Sequence, residues 1–166
     1  QWCRFVRGRP RKMGGFQEIS PFFSGPVTNG FLWSRQFMNI YCAFSQWGVE
    51  FSLVDSNGSG SVVETITPAE YVVSPNTLWS HDTLFDAASG ANATLLIASP
   101  MNTLQNIDDP TLGDVYVTPL NAPAEMTKVT DVKAVTSGGL FCTAPYTVLL
   151  GNDGNVTWSD ANAPQD

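Results

Sequence analysis

The sequence predicts an all-β protein of short antiparallel strands, and three observations carry that prediction. No long stretch keeps the 3.6-residue apolar period of a helix. Short runs rich in β-branched and aromatic residues recur instead. Turn residues bound them every ~8–12 positions, the rhythm of sandwiches, barrels and propellers. The turn chemistry is abundant, with 14 glycines and 11 prolines among 166 residues.

In chain order, Arg4-Phe5-Val6 reads as short and extended. Asn39 to Ser45 is apolar and aromatic, and Val49 to Val54 alternates apolar with polar, the pattern of a half-buried strand. Val62 to Thr67 follows across Asn57-Gly58, a pair that tolerates positive φ and so predicts a hairpin. Further strands are predicted at Thr94 to Ala98, Asp114 to Thr118, Val129 to Val135, Leu140 to Thr143 and Tyr146 to Leu150. The last leads through Asn152-Asp153-Gly154 into Asn155 to Trp158, a second tight hairpin. Ala122 to Thr127 is the one segment that reads as a short helix.

Internal repetition narrows the architecture. Trp-Ser occurs at Trp33-Ser34, Trp79-Ser80 and Trp158-Ser159. The spacings lie near one and two periods of about 40 residues, and a four-stranded propeller blade takes about 40–50. The run from Tyr41 to Gly48 also echoes Tyr146 to Gly154, an aromatic-led strand running into a glycine turn. These echoes favour a β-propeller-like fold with about four blades' worth of strands, left incomplete. A β-sandwich is the alternative. The ring is then completed by a following segment or a second chain. The chain opens on Gln1 rather than Met, which reads as a fragment or a processed product.

Composition points to an assembly. Hydrophobic residues make up 43% and charged residues 14%, against about a quarter in ordinary soluble domains, so much surface is expected in subunit contacts. Charge is also segregated. Arg4, Arg7, Arg9, Arg11 and Lys12 hold most of the basic charge, whereas after Arg35 only Lys128 and Lys133 offset the acids of a chain with net charge −7. The division is a basic N-terminal arm over residues 1–17 and an acidic propeller-like body over 18–166. The basic five are candidates for docking on a neighbouring subunit, where arginine suits bidentate pairing with carboxylates, or for touching nucleic acid. The acidic body repels phosphates, so contact with DNA is expected in passing only.

Catalytic and metal chemistry find little support. Nucleophilic catalysis needs a base beside the nucleophile, and the single histidine, His81, has no Gly-x-Ser-x-Gly elbow or sequence link to Cys142. His81 reads as a turn histidine. Cys3, Cys42 and Cys142 are odd in number and without CxxC spacing, arguing against a disulfide framework and a zinc site. Asp55 to Gly60 resembles a calcium loop only in passing, because Ile66 stands where the twelfth-position carboxylate belongs. Asp108-Asp109 are adjacent and so diverge on an extended chain. No cofactor, metal site or catalytic residue is expected. No apolar run is long enough to span a bilayer as a helix.

Three dispersed segments carry a family resemblance. Arg4 to Phe16 resembles the Arg-Phe-Val-x-Gly-x-Pro-x-Lys-x-Gly-Gly-aromatic opening of tail or nozzle-type structural proteins of tailed bacteriophages. Ile66-Thr67-Pro68 resembles that group's Asp-Ile-Thr-Pro segment, with Thr65 where Asp is usual. Gly151 to Pro164 resembles its Gly-Asn-Asp-Gly…Trp-Ser…Asn-x-Pro segment. The matches span nearly the whole chain, although members of the group are generally longer.

The resemblance implies a non-enzymatic structural subunit of the virion, a propeller-bearing part of the tail tube or nozzle ring that closes the tail and guides DNA ejection. Implied partners are other copies in a homo-oligomeric ring, neighbouring tail or adaptor proteins and passing DNA. Implied location is the phage tail, assembled in the host cytoplasm. The alternative is a receptor- or carbohydrate-binding β module of a virion, with Trp47 and Trp79 as candidates for stacking on sugar rings.

Overall fold

Side chains alternate across a strand, so a strand apolar at every position serves two packing layers at once. That rule organises this protein. The computed structural model describes residues 3–6, 9–12, 23, 25–35, 38–54, 60–68, 71, 77–86, 93–102, 113–123, 125–131, 136, 139–151 and 154–161. Among them are thirteen strands and no helix, arranged as four antiparallel sheets of which none closes into a barrel.

A two-stranded hairpin joins β1 (Cys3–Val6) to β2 (Arg9–Lys12). Sheet I is a four-stranded meander of β3 (Val27–Arg35), β4 (Met38–Ser45), β5 (Gly48–Val54) and β6 (Gly60–Ile66). Sheet II repeats the meander with β7 (Thr77–Asp86), β8 (Ala93–Asn102), β9 (Tyr116–Pro119) and β10 (Thr127–Lys128). Sheet III has three strands, β11 (Gly139–Thr143), β12 (Tyr146–Leu150) and β13 (Val156–Trp158). Every neighbour in a sheet is also the neighbour in sequence.

The three meanders lie face to face around sheet II. Ile40, Cys42, Phe44 and Phe51 of sheet I meet Trp79, Leu96, Ala98 and Tyr116 of sheet II in one buried layer. The alternate residues of sheet II, Leu84, Ile97 and Val117, meet Leu140 and Leu149 of sheet III in a second. Full burial of such a side chain stabilises by about 1.5–3 kcal/mol, so the two seams dominate the stability of the stack. The opening strands β3, β7 and β11 lie beside one another, with β7 touching both.

Several expectations are corrected. Ala122 to Thr127 forms no helix among its described residues: Thr127 and Lys128 pair with Val117 and Tyr116 as a short strand. Of the strand expected from Val129 to Val135, the described residues 129–131 form none, although the Val129 N–H donates to the Val115 carbonyl at 2.8 Å, and residues 132–135 lie outside the described set. Strand β5 is not half-buried, because Glu50 and Ser52 on its polar face are as buried as Val49 and Phe51 on the other. The Trp-Ser pairs are not equivalent positions. Trp33 sits late in β3, Trp79 early in β7 and Trp158 at the end of the last strand. The weaker echo fares better: its two copies fall on β4–β5 and β12–β13, the second and third strands of their sheets.

Both predicted hairpins form. β5 and β6 pair antiparallel across Asn57-Gly58, which lie outside the described residues, with the register shifting between Phe51 and Ser52. Gly154 adopts φ +81° between β12 and β13.

Candidate functional site

The basic candidates fall on the N-terminal hairpin. The backbone register sets Arg4 opposite Arg11, Arg9 opposite Val6 and Lys12 opposite Cys3. Arg7 lies outside the described residues.

The two tryptophan candidates part company. Trp47 occupies the two-residue turn between β4 and β5 and is 43% exposed. Its N–H donates to Ser45 Oγ at 3.1 Å, and its carbonyl accepts from Thr67 Oγ1 at 3.0 Å. Its indole edge lies over Gly25, where a Cβ would come within 2.9 Å of the ring. Backbone and ring are thus both held, and one region of the indole meets solvent. Trp79, by contrast, is a core residue and offers no face for ligand stacking. Its ring packs against Phe44 and Tyr71, at centroid distances of 5.8 and 5.4 Å. Its Nε1 donates to the Ser45 carbonyl at 2.9 Å. An alternating strand buries Trp79 together with His81 against sheet I.

His81 packs against both Phe31 and Phe44, at centroid distances of 4.8 and 4.5 Å, and those two rings meet each other at 6.3 Å. Its Nδ1 lies 3.3 Å from the Asn29 amide nitrogen. Burial holds the imidazole below its ordinary pKa, partly opposed by the negative charge of Asp82. Asp82 serves the other seam: its Oδ2 accepts from the Cys142 backbone N–H at 2.7 Å. His81 and Cys142 therefore engage opposite sides of β7 and are not brought together as a pair. The Cys142 thiol is pushed up to about 11, chiefly by burial, and the Cys42 thiol to about 12 by burial alone. Neither is poised as a nucleophile. No group of three His, Cys, Asp or Glu side chains suited to a metal ion occurs among the described residues.

Sequence reasoning missed one surface. In sheet III, Phe141, Val148 and Trp158 are cross-strand neighbours and so share a face. Leu150 pairs with Val156 in the adjoining row of that face. Phe141, Val156 and Trp158 are 54%, 56% and 69% exposed. The opposite face, with Leu140 and Leu149, is the one that packs on sheet II. The signal was present in the strands themselves, since Leu140-Phe141 and Val148-Leu149-Leu150 are apolar at consecutive positions.

The class defined by these observations is an all-β protein of stacked antiparallel meanders with a hairpin that carries basic residues, an anchored tryptophan and an open apolar sheet face. No protein family, no curated protein and no solved structure matches the chain.

Proposed function

We propose that this chain is a propeller-type structural subunit of a bacteriophage tail, part of the tube or nozzle ring that closes the tail and guides DNA out. One observation carries the reading beyond the three sequence segments: successive meander sheets lie face to face with their opening strands side by side. Blades of a propeller are built in this way. On this reading the basic hairpin of Arg4, Arg9 and Arg11 binds a carboxylate-rich neighbour, and the acidic body keeps passing DNA from adhering.

Purified phage particles labelled with an antibody to this chain test the reading. Label at the tail tip is expected. Particles that lack the chain, although infected cells contain it, would overturn it.

A second reading, a glycan- or receptor-binding module, is favoured by Trp47 alone, because its indole is exposed on a turn fixed at both backbone ends. Binding on a glycan array that disappears with Trp47→Ala would support this reading.

A further inference from the structure

We propose that the open face of sheet III docks the same face of a second copy of this chain across a two-fold axis. The proposal goes beyond the tail reading and does not depend on it.

The face is built like an interior. Phe141, Val148 and Trp158 form one row, and Leu150 with Val156 forms the next. Large apolar side chains clustered on an exposed sheet face mark an interaction surface. The protein already shows how such a face is satisfied, because Leu140 and Leu149 on its reverse are covered by another β-sheet. A sheet of the same kind, laid at ~10 Å, is the chemistry that fits.

The two ends of the stack differ, and the difference selects the occupant. On the outer face of sheet I, Ala43, Glu50 and Ser52 are each about 1% exposed, so the middle strands of that end are covered, and only the edge strand β3 keeps a large apolar side chain open there, Leu32 at 57%. Phe23 contributes there, with its ring 6.0 Å from that of Tyr41. Head-to-tail stacking of copies would need that end bare. A two-row apolar face finds a fuller complement in another such face than in an end whose middle strands are covered, and that is an isologous contact.

Charge favours the same choice. The chain carries net −7, so two copies repel over most of their surfaces. Neither row of the open face holds a charged residue. The nearest acids in sequence are Asp160, two positions beyond the last residue of the strand, and Asp153, three positions from both Leu150 and Val156. Apposing the two uncharged faces brings copies together with the least like-charge contact.

Three strands of five residues or fewer are small beside the ~800 Å² per partner of a standard interface. The isolated pair is therefore expected at micromolar or weaker affinity, to be strengthened where copies are held close.

Sedimentation of the full chain from about 1 µM to about 500 µM tests the proposal. A reversible monomer–dimer equilibrium is expected. Phe141→Asp and Trp158→Asp should each weaken it at least tenfold. Leu32→Asp, at an exposed site on sheet I, should leave it unchanged. The three side chains are more than half exposed, so the variants should keep the parent's circular dichroism and melting temperature, and this is checked in the same samples. A monomer at every concentration would overturn the proposal. So would a dimer indifferent to Phe141→Asp and Trp158→Asp, or growth past the dimer into open chains. These results concern the isolated chain, whereas the tail reading is decided on whole particles, so one can fail without the other.

Discussion

The indole Nε1 of Trp79 donates to the carbonyl oxygen of Ser45 at 2.9 Å, crossing from the second sheet to the first through a buried layer. That bond is the shortest polar link between two meanders that also meet through apolar contact and through Asn29, whose amide nitrogen lies 3.4 Å from the Trp79 carbonyl oxygen and 3.3 Å from His81 Nδ1. Trp79→Phe keeps an aromatic ring but leaves the buried carbonyl without this donor. The expected loss is about 1–3 kcal/mol. Trp79→Ala also opens a cavity and should cost about 3–5 kcal/mol. Urea unfolding of the two variants gives both values, and equal losses would mean that the hydrogen bond adds nothing beyond ring volume.

The second seam has its own polar tie. Asp82 Oδ1 accepts from its neighbour Thr83 N–H at 2.8 Å while Oδ2 accepts from Cys142 N–H across the sheets at 2.7 Å. Asp82→Ala removes both acceptors and should destabilise by about 1.5–3 kcal/mol, the range for hydrogen bonds to a charged group. Thermal unfolding measures the loss, and amide exchange at Cys142 should speed up more than at Ile97, inside sheet II.

His81 makes stability depend on pH. Burial against Phe31 and Phe44 lowers its pKa from 6.5, so the fold favours the neutral ring. A protonated Nδ1 would also set a donor against the Asn29 amide nitrogen. Above pH 6.5 both folded and unfolded chains hold the neutral ring, and His81 contributes no pH dependence. As pH falls through 6.5 the unfolded chain takes up the proton first and stability drops. The drop ends at the lower, folded pKa. Urea midpoints at pH 7.5, 6.5 and 5.5 should therefore decline more in the parent than in His81→Phe. Parallel declines would remove His81 as the cause.

Gly48 closes the turn after Trp47 at φ +138°, and a methyl group there would run into the Ile66 carbonyl of the neighbouring strand. Gly48→Ala combines an unfavourable backbone angle, worth about 1–3 kcal/mol, with that collision. We expect a loss at the top of this range or beyond. Gly154, with φ +81° but open space around its Cα, should lose only the backbone part on substitution by alanine. Comparing the two melting temperatures separates strain from collision.

Cys42 and Cys142 should resist alkylation in the folded protein. Their thiols are pushed up to about 12 and about 11 from 9.0, mainly by burial. At pH 8 iodoacetamide should label either at least about a hundredfold more slowly than an unstructured cysteine, since the thiolate is the reacting species. Peptide mass mapping before and after urea reads the difference. Rapid labelling of Cys42 in native buffer would mean that the first apolar layer opens.

Local patterning made the strands legible, and long-range covering did not. The runs at Asn39–Ser45 and Tyr146–Leu150 declare themselves by composition, and their hairpins by turn glycines. β7 escaped notice because Thr77–Asp86 mixes polar and apolar residues without a clean period, although each side serves a different seam. Glu50 and Ser52 read as a solvent face because nothing nearby in sequence states that sheet I is covered from outside. The Trp-Ser repeat misled for the same reason: identical dipeptides at Trp79 and Trp158 have opposite burial, set by where the strand lies in the stack. Trp79 is thus a core residue while Trp47 meets solvent, a distinction no local pattern carries.

Sheet III leans on the body through one seam, whereas sheet II is gripped by two. The consequence is a gradient in local unfolding. Of the three meanders, residues 139–158 form the one with least to lose by detaching, and should open well below the global transition. Hydrogen exchange should find Leu149 protected less than Ile97, and a protease should nick this meander before the other two. Any partner that caps its outer side would raise that low opening energy by mass action, and so lengthen the survival of the whole chain.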